Sequence, residues 1–429
     1  MISLSLKKSK GILVWLALIL TGINFFRITY VSYVLPIIIT IIYIALYFIY
    51  GCKIFVALFL ILANDAIGQI AGFISVKYLA ILFIIAELYK SKLKLKKNNL
   101  FAAILSIYMI LQPLLTGLDD FSTCFGTLLP FLLLLILYNN NDNNEFFDNF
   151  FESTALIICV ISIHSILSGG YNNAAYVISE YSREAQFIRH GIVGVGVGDA
   201  NFSSLILCTG ILSVFATRDF KTYVKIIMMI PMGIALSLTL STSGLIGLIV
   251  VIITYNMANN SLQKRIKYFF IIILVLIVSV QLYSSLPSDF RIAAIDQYVD
   301  RMNMKYMDLI SGNFSGLTNG RNDLGDFYWR YIKEEGFLRQ LLGGNNLLLF
   351  SHVPHNTYID FIIQFGFIGL IVIGSIILLR IRNIFKFTDK YNKGAIISIK
   401  CLYLFFITTI SVYHGSTFAF TLFLLLIIP

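Results

Sequence analysis

His355 and Asn356 stand at the mouth of a long apolar run, and Gly366 and Gly369 follow within it. If the run is a helix, Gly366 lies about 20° from His355 around its axis and Gly369 about 40° to the other side. The two glycines would then sit roughly 16 and 21 Å below the histidine, on the same face. Missing side chains on that face have two readings. One is close packing against a neighbouring helix, which small residues commonly serve in membranes. The other is a slot for a lipid tail whose head group meets the histidine. A helix N-terminus beside His355 favours the neutral imidazole, the form a general base needs. A histidine at a helix mouth can equally be structural.

A second chemical feature lies upstream. Gly191, Gly194, Gly196 and Gly198 precede an apolar run, and Arg183, Arg189 and His190 stand just before them. The spacing is not that of a dinucleotide fingerprint, and no βαβ pattern surrounds it. A glycine-rich approach to a helix N-terminus with arginines nearby suits a phosphate or pyrophosphate, although a flexible loop would look the same. No metal site is expected, because the histidines are scattered and none has a carboxylate pair at ligand spacing.

The elements that would position these residues are read from composition and hydropathy. Of 429 residues 58% are hydrophobic and only 13% charged, and the mean hydropathy is +0.85. A soluble domain carries about a quarter charged residues and could not hide this much apolar surface in one core. The expected fold is an all-α polytopic membrane protein of about fourteen transmembrane helices (twelve to fourteen), each spanning ~30 Å of hydrocarbon. The apolar runs fall near 11–26, 30–50, 54–64, 74–89, 100–116, 122–138, 151–168, 201–217, 224–240, 244–257, 268–285, 356–379, 395–412 and 417–428. No cleavable leader is expected, and the five cysteines lie in or beside apolar runs, away from disulfide or zinc patterns.

The formal charge of +10 comes from 32 Lys and Arg against 22 Asp and Glu. In a soluble chain this would raise nucleic-acid binding, but here the cations cluster at the ends of apolar runs. Lys7 to Lys10, Lys90 to Lys97, Arg218 to Lys225, Lys264 to Lys267 and Arg380 to Lys393 all fall on one side if the helices alternate from a cytoplasmic N-terminus. The positive-inside rule asks for that agreement. The Asn-rich stretch 139–149 reads as a solvated connector on the same side, and Lys400 as snorkelling to that interface. Two segments break the pattern of short loops, residues 169–200 and 286–355. The expected organisation is therefore a transmembrane bundle over 1–285 with outer loop 169–200, a large, partly helical periplasmic loop over 286–355, and C-terminal helices over 356–429. Loop cations such as Arg301, Lys305 and Arg339 read mostly as solvated surface.

The run Asn319-Gly320-Arg321, Trp329, Leu342-Gly343-Gly344, then His355-Asn356, nine residues and Gly366-x-x-Gly369 resembles the O-antigen polymerase and O-antigen ligase superfamily. Asp199-Ala200-Asn201 is similar to the Asp-Pro-Asn start of an earlier helix in that superfamily. Ser241-Thr242-Ser243-Gly244 is similar to its Ser-Arg-Gly segment but lacks the arginine, so no role is carried onto it. An Arg-x10-Gly pattern of polymerase loops occurs at Arg183 to Gly194 and Arg301 to Gly312. The resemblance covers about residues 190–380.

It implies a metal-independent glycosyltransferase of the bacterial inner membrane, without a cofactor, acting on an undecaprenyl-diphosphate-linked glycan. His355 and Arg321 would be catalytic. Arg183, Arg189, His190, Asn356, Arg330 and Tyr358 would contact substrate. Bidentate guanidinium groups can hold a diphosphate leaving group without a metal. Implied partners are membrane lipids and the carrier-linked oligosaccharide, with a chain-length regulator as a further candidate and no nucleic acid. Polymerase is favoured over ligase because richness in Ile, Asn, Lys, Phe and Tyr suggests the AT-rich DNA common in O-antigen clusters. The ligase would transfer the same glycan to lipid A-core. A non-enzymatic flippase of lipid-linked glycans is the remote alternative; it would be expected to place charges within its helices, where few are seen.

Overall fold

The computed structural model describes residues 143–167, 171–172, 190–191, 200–217, 220–259, 293–313, 321–344, 356–386 and 393–409. It also describes residues 69–70 and 74–75 and scattered helical positions between Leu82 and Leu111. The apolar runs at 11–26, 30–50, 54–64, 122–138, 268–285 and 417–428 lie outside the described residues. The elements are β1 (Gln69–Ile70), β2 (Ile74–Ser75), α1 (Asn143–Leu167), β3 (Tyr171–Asn172), β4 (His190–Gly191), α2 (Ala200–Ala216), α3 (Thr222–Leu238) and α4 (Thr242–Asn259). There follow α5 (Ala293–Ile310), α6 (Arg321–Glu334), α7 (Phe337–Leu342), α8 (Thr357–Lys386) and α9 (Lys393–Thr409). The described chain is overwhelmingly helical. Its extended pieces are two antiparallel pairs of two residues each, β1 with β2 and β3 with β4. The apolar run placed at 74–89 thus opens as a strand at Ile74, where β-branched Ile70 and Ile74 face each other across the pair.

Thr357–Leu379 is long and apolar enough to cross a membrane, and shorter apolar helices cover Ala200–Ala216, Thr222–Leu238, Thr242–Ala258 and Gly394–Thr408. α2 lies at the centre, packed on α1, α3, α4 and α9, while α4 and α9 share the most extensive interface. Glycines set the closeness of these contacts. A Cβ on Gly244 would stand 2.5 Å from the Ser204 Cβ, and one on Gly247 would stand 2.6 Å from the Phe406 ring. Backbones approach this closely only where one partner has no side chain. α1 begins at Asn143, so the Asn-rich stretch is not wholly a connector. Phe151, in the third turn of α1, is fully buried.

α8 is not the continuous helix expected of residues 356–379. It breaks at Gly366, whose φ of 65° and ψ of −174° lie outside helical space. A break frees backbone carbonyls one turn before it, and in apolar surroundings each needs a new partner. The turn after α7 supplies one. Gly343 and Gly344 both have positive φ, and the Gly344 N–H donates to the Gln364 carbonyl at 3.0 Å. The Tyr108 hydroxyl supplies another, lying 2.8 Å from the carbonyl oxygens of both Phe365 and Leu342. The backbones meet so closely that a Cβ on Gly366 would stand 2.1 Å from the Leu341 oxygen, and one on Gly343 2.4 Å from the Gln364 carbonyl.

The space beside Gly366 is therefore filled by the α7 turn, and that beside Gly369 by Phe361, Phe365 and Tyr108. Of the two readings of the glycine face, close packing holds and the lipid-tail slot does not.

Gly366→Ala should destabilise the protein by roughly 3 kcal/mol or more, since strained φ/ψ and a backbone clash act together. Gly374→Ala, where a Cβ meets nothing within 4 Å, should be neutral or slightly stabilising. Thermal unfolding of the detergent-solubilised variants would separate them, and a normal Tm for Gly366→Ala would show that the break is not required.

Candidate functional site

The upper segment of α8 begins with a cap. The Asn356 side-chain oxygen accepts the backbone N–H groups of Tyr358 at 2.9 Å and Ile359 at 3.3 Å. Such a cap is worth about 1 kcal/mol. It occupies the carbonyl of Asn356 and leaves the amide nitrogen as the group a substrate could meet. Tyr358 is exposed in the first turn, while Ile359 and Asp360 are buried. His355 lies just outside the described residues, as do Arg183 and Arg189. His190 is described through its backbone, paired with Asn172 across β3 and β4.

α6 packs against this first turn. Its Tyr328 is buried, and its Gly325 lies over Ile359, where an added Cβ would reach the Ile359 side chain at 3.9 Å. Burial, and then the nearby Asp360 carboxylate, push the Tyr328 phenol up to about 12. Arg321 is the first residue of α6. Arg330 is exposed on the same helix, and Arg339 on α7 is exposed with a 3.6 Å contact to Glu335. The segment carrying Arg321 and Trp329 is thus brought onto the helix opened by Asn356, although over twenty residues separate them in the chain.

A second junction joins the other two segments of interest. The Ser241 hydroxyl donates to the Asn201 side-chain oxygen at 2.9 Å, and the Gly244 N–H donates to that same Ser241 hydroxyl at 3.0 Å. The Ser204 hydroxyl donates to the Asn201 carbonyl at 2.7 Å. The N-termini of α2 and α4 therefore meet through their first polar residues. Between α3 and α4 the chain reverses at Leu240, which has a φ of 47°. Its carbonyl accepts the Arg301 guanidinium from α5 at 2.5 Å.

Arg301 is 2% exposed, and Lys305 and Asp308 beside it are also buried. Reading Arg301 and Lys305 as solvated surface was therefore wrong. The guanidinium thus reaches the turn between α3 and α4 from a helix of the long loop. The Arg301-x10-Gly312 pair also has a local meaning. Gly312, with φ 69°, ends the same helix, and the Asn313 N–H closes it on the Asp308 carbonyl at 2.9 Å.

Lys400 does not snorkel to an interface. It is 3% exposed on α9, the helix that packs on α4 and α2, because that helix is enclosed almost all round. With the buried Asp360 it places ionisable side chains inside the apolar helices, which were expected to be nearly free of them. Arg301, Lys305, Tyr328 and Asp360 are the residues that sequence reasoning missed. Helical spacing puts Arg301, Lys305 and Asp308 on one face, without showing which way that face turns. Among the described residues no three His, Cys, Asp or Glu side chains gather as a cation site. No family model matches the chain, and no curated protein resembles it significantly.

Arg301→Leu should cost roughly 1.5–3 kcal/mol, the worth of a buried charge-assisted hydrogen bond, by leaving the Leu240 carbonyl without its guanidinium. Arg339→Leu should leave stability unchanged, because an exposed pair contributes little. Parallel unfolding curves would decide this, and equal stability of the two variants would return Arg301 to the surface class.

Proposed function

We propose that the chain is an integral membrane glycosyltransferase, specifically an O-antigen polymerase. It would move a growing glycan from undecaprenyl diphosphate onto a sugar hydroxyl of a new lipid-linked repeat unit, at the periplasmic face of the inner membrane. The observation that carries the reading is the packing of α6 on the first turn of α8. It brings the helix that begins at Arg321 and carries Trp329 to the helix that Asn356 caps, which joins a supportive motif of the resemblance to its most specific one. The meeting of Asn201 with Ser241 joins its two weaker segments. Apolar composition and the span Thr357–Leu379 support the membrane placement.

In the mechanism this implies, His355 takes the proton of the acceptor hydroxyl as that oxygen attacks the anomeric carbon. The bond from this carbon to the diphosphate oxygen breaks, and the diphosphate leaves as an anion. Arg321, with Arg183 and Arg189, holds the charge that develops on it; a planar guanidinium fork does this where an ammonium does not. His190, Arg330, Asn356 and Tyr358 are the further sugar or phosphate contacts.

His355→Ala should abolish polymer formation while the protein still accumulates in the membrane, and Arg321→Lys should be severely impaired. Deletion of the gene should leave lipopolysaccharide with core plus a single repeat unit and no ladder. Bare core together with carrier-linked polymer would instead assign the ligase reaction, and wild-type polymer with His355→Ala would remove the histidine from the mechanism.

A further inference from the structure

α5 is amphipathic in an inverted sense. At 100° per residue, Arg301, Lys305 and Asp308 fall within about 60° of one another, and all three are buried. The opposite side carries Tyr306, Met307 and Ile310, which are 60, 63 and 63% exposed, and Leu309, 56% exposed, lies on the flank next to Lys305. Asn303 and the half-buried Asp296 are polar residues on that side, and Asp300 is an exposed carboxylate beside Met307. A helix lying on a protein surface in water would turn the other way, with its charges outward.

The position of α5 explains the inversion. Arg301 holds it to the carbonyl of Leu240, two residues beyond the end of α3. α3 has its own outward stripe, with Tyr223, Ile226, Ile227, Ile230 and Ile234 between 47 and 62% exposed. In the membrane placement proposed above, that stripe faces lipid. α5 therefore lies at the level where the stripe stops, which is the bilayer boundary.

We propose that α5 lies in the membrane interface, with Tyr306, Met307, Leu309 and Ile310 inserted among the lipid chains and head groups. The occupant of this face is the bilayer in which the protein sits. Interfacial helices bury such faces roughly 5–10 Å deep, and tyrosine is a residue favoured at that level. The loop 286–355 would then be tethered to the bilayer at α5, instead of standing wholly in water. The inference rests on the membrane placement but not on the polymerase reaction.

The full chain, with Trp15 and Trp329 replaced by phenylalanine, would be reconstituted in phosphatidylcholine vesicles with a single new tryptophan at Ile310→Trp or at Ile227→Trp on α3. Lipid brominated near the glycerol end of its chains should quench Ile310→Trp more than lipid brominated near the chain ends. Ile227→Trp should be quenched by brominated lipid in either case, and iodide should reach neither. Ile310→Trp quenched by iodide and not by lipid, beside a lipid-quenched Ile227→Trp, overturns the proposal and leaves the membrane reading standing. Ile310→Trp shielded from both quenchers, with disulfide cross-linking between copies at Leu309→Cys, would overturn it in favour of a second chain on this face. If lipid quenches neither tryptophan, the membrane placement fails and the proposal with it.

Discussion

A backbone carbonyl freed inside an apolar bundle must find a donor, and the break in α8 imposes that requirement at a defined place. Gly366 permits the break, and the carbonyls of Gln364 and Phe365 then need partners. One comes from the turn after α7 and one from Tyr108, far earlier in the chain. Three distant segments are held together by backbone needs alone. The glycines at 343 and 366 are there because each occupies space that the other's carbonyl neighbourhood leaves no room to share. Through this clasp α7 is seated on α8, and α6, just before it, meets the first turn where Asn356 and Asp360 sit.

The junction of α2, α3 and α4 follows the same logic with side chains in place of backbone. Asn201, Ser204 and Ser241 are short, and short polar side chains at helix starts satisfy local donors without opening the bundle. What they cannot reach is the carbonyl of Leu240, where the chain turns back. Arg301 reaches it from outside, and so ties the long loop to the bundle by a second independent point. The loop is consequently held at both of its halves, by α5 near α3 and by α7 near α8.

Much of this was legible in the sequence. The boundaries of α2, α3, α4 and α9 follow the apolar runs to within a few residues, because a long unbroken apolar run has few alternatives to a helix. The loop 286–355 was expected to be partly helical, and α5, α6 and α7 lie within it. Other features were not. Periodicity shows that Arg301, Lys305 and Asp308 share a face but not which way the face turns, since that depends on what lies on the other side. The break at Gly366 was invisible because glycine in an apolar run serves close packing and chain reversal alike, and only the distant Gly343 distinguishes them. Lys400 was misplaced because depth along a helix was taken for distance from the interface, whereas enclosure by α4 and α2 decides it. The candidate residues His355, Arg183 and Arg189 lie outside the described residues.

The break at Gly366 also redraws a boundary. By hydropathy the loop ends at His355 and the C-terminal helices begin at Asn356. By packing, the nine residues from Thr357 to Phe365 belong with α6 and α7, and the second helical segment of α8 starts beyond Gly366. The natural unit for exchange between related chains is therefore not the hydrophilic loop alone. A graft cut at residue 356 would separate α7 from the carbonyl it serves, whereas one cut after Gly366 would carry donor and acceptor together as a single interchangeable module.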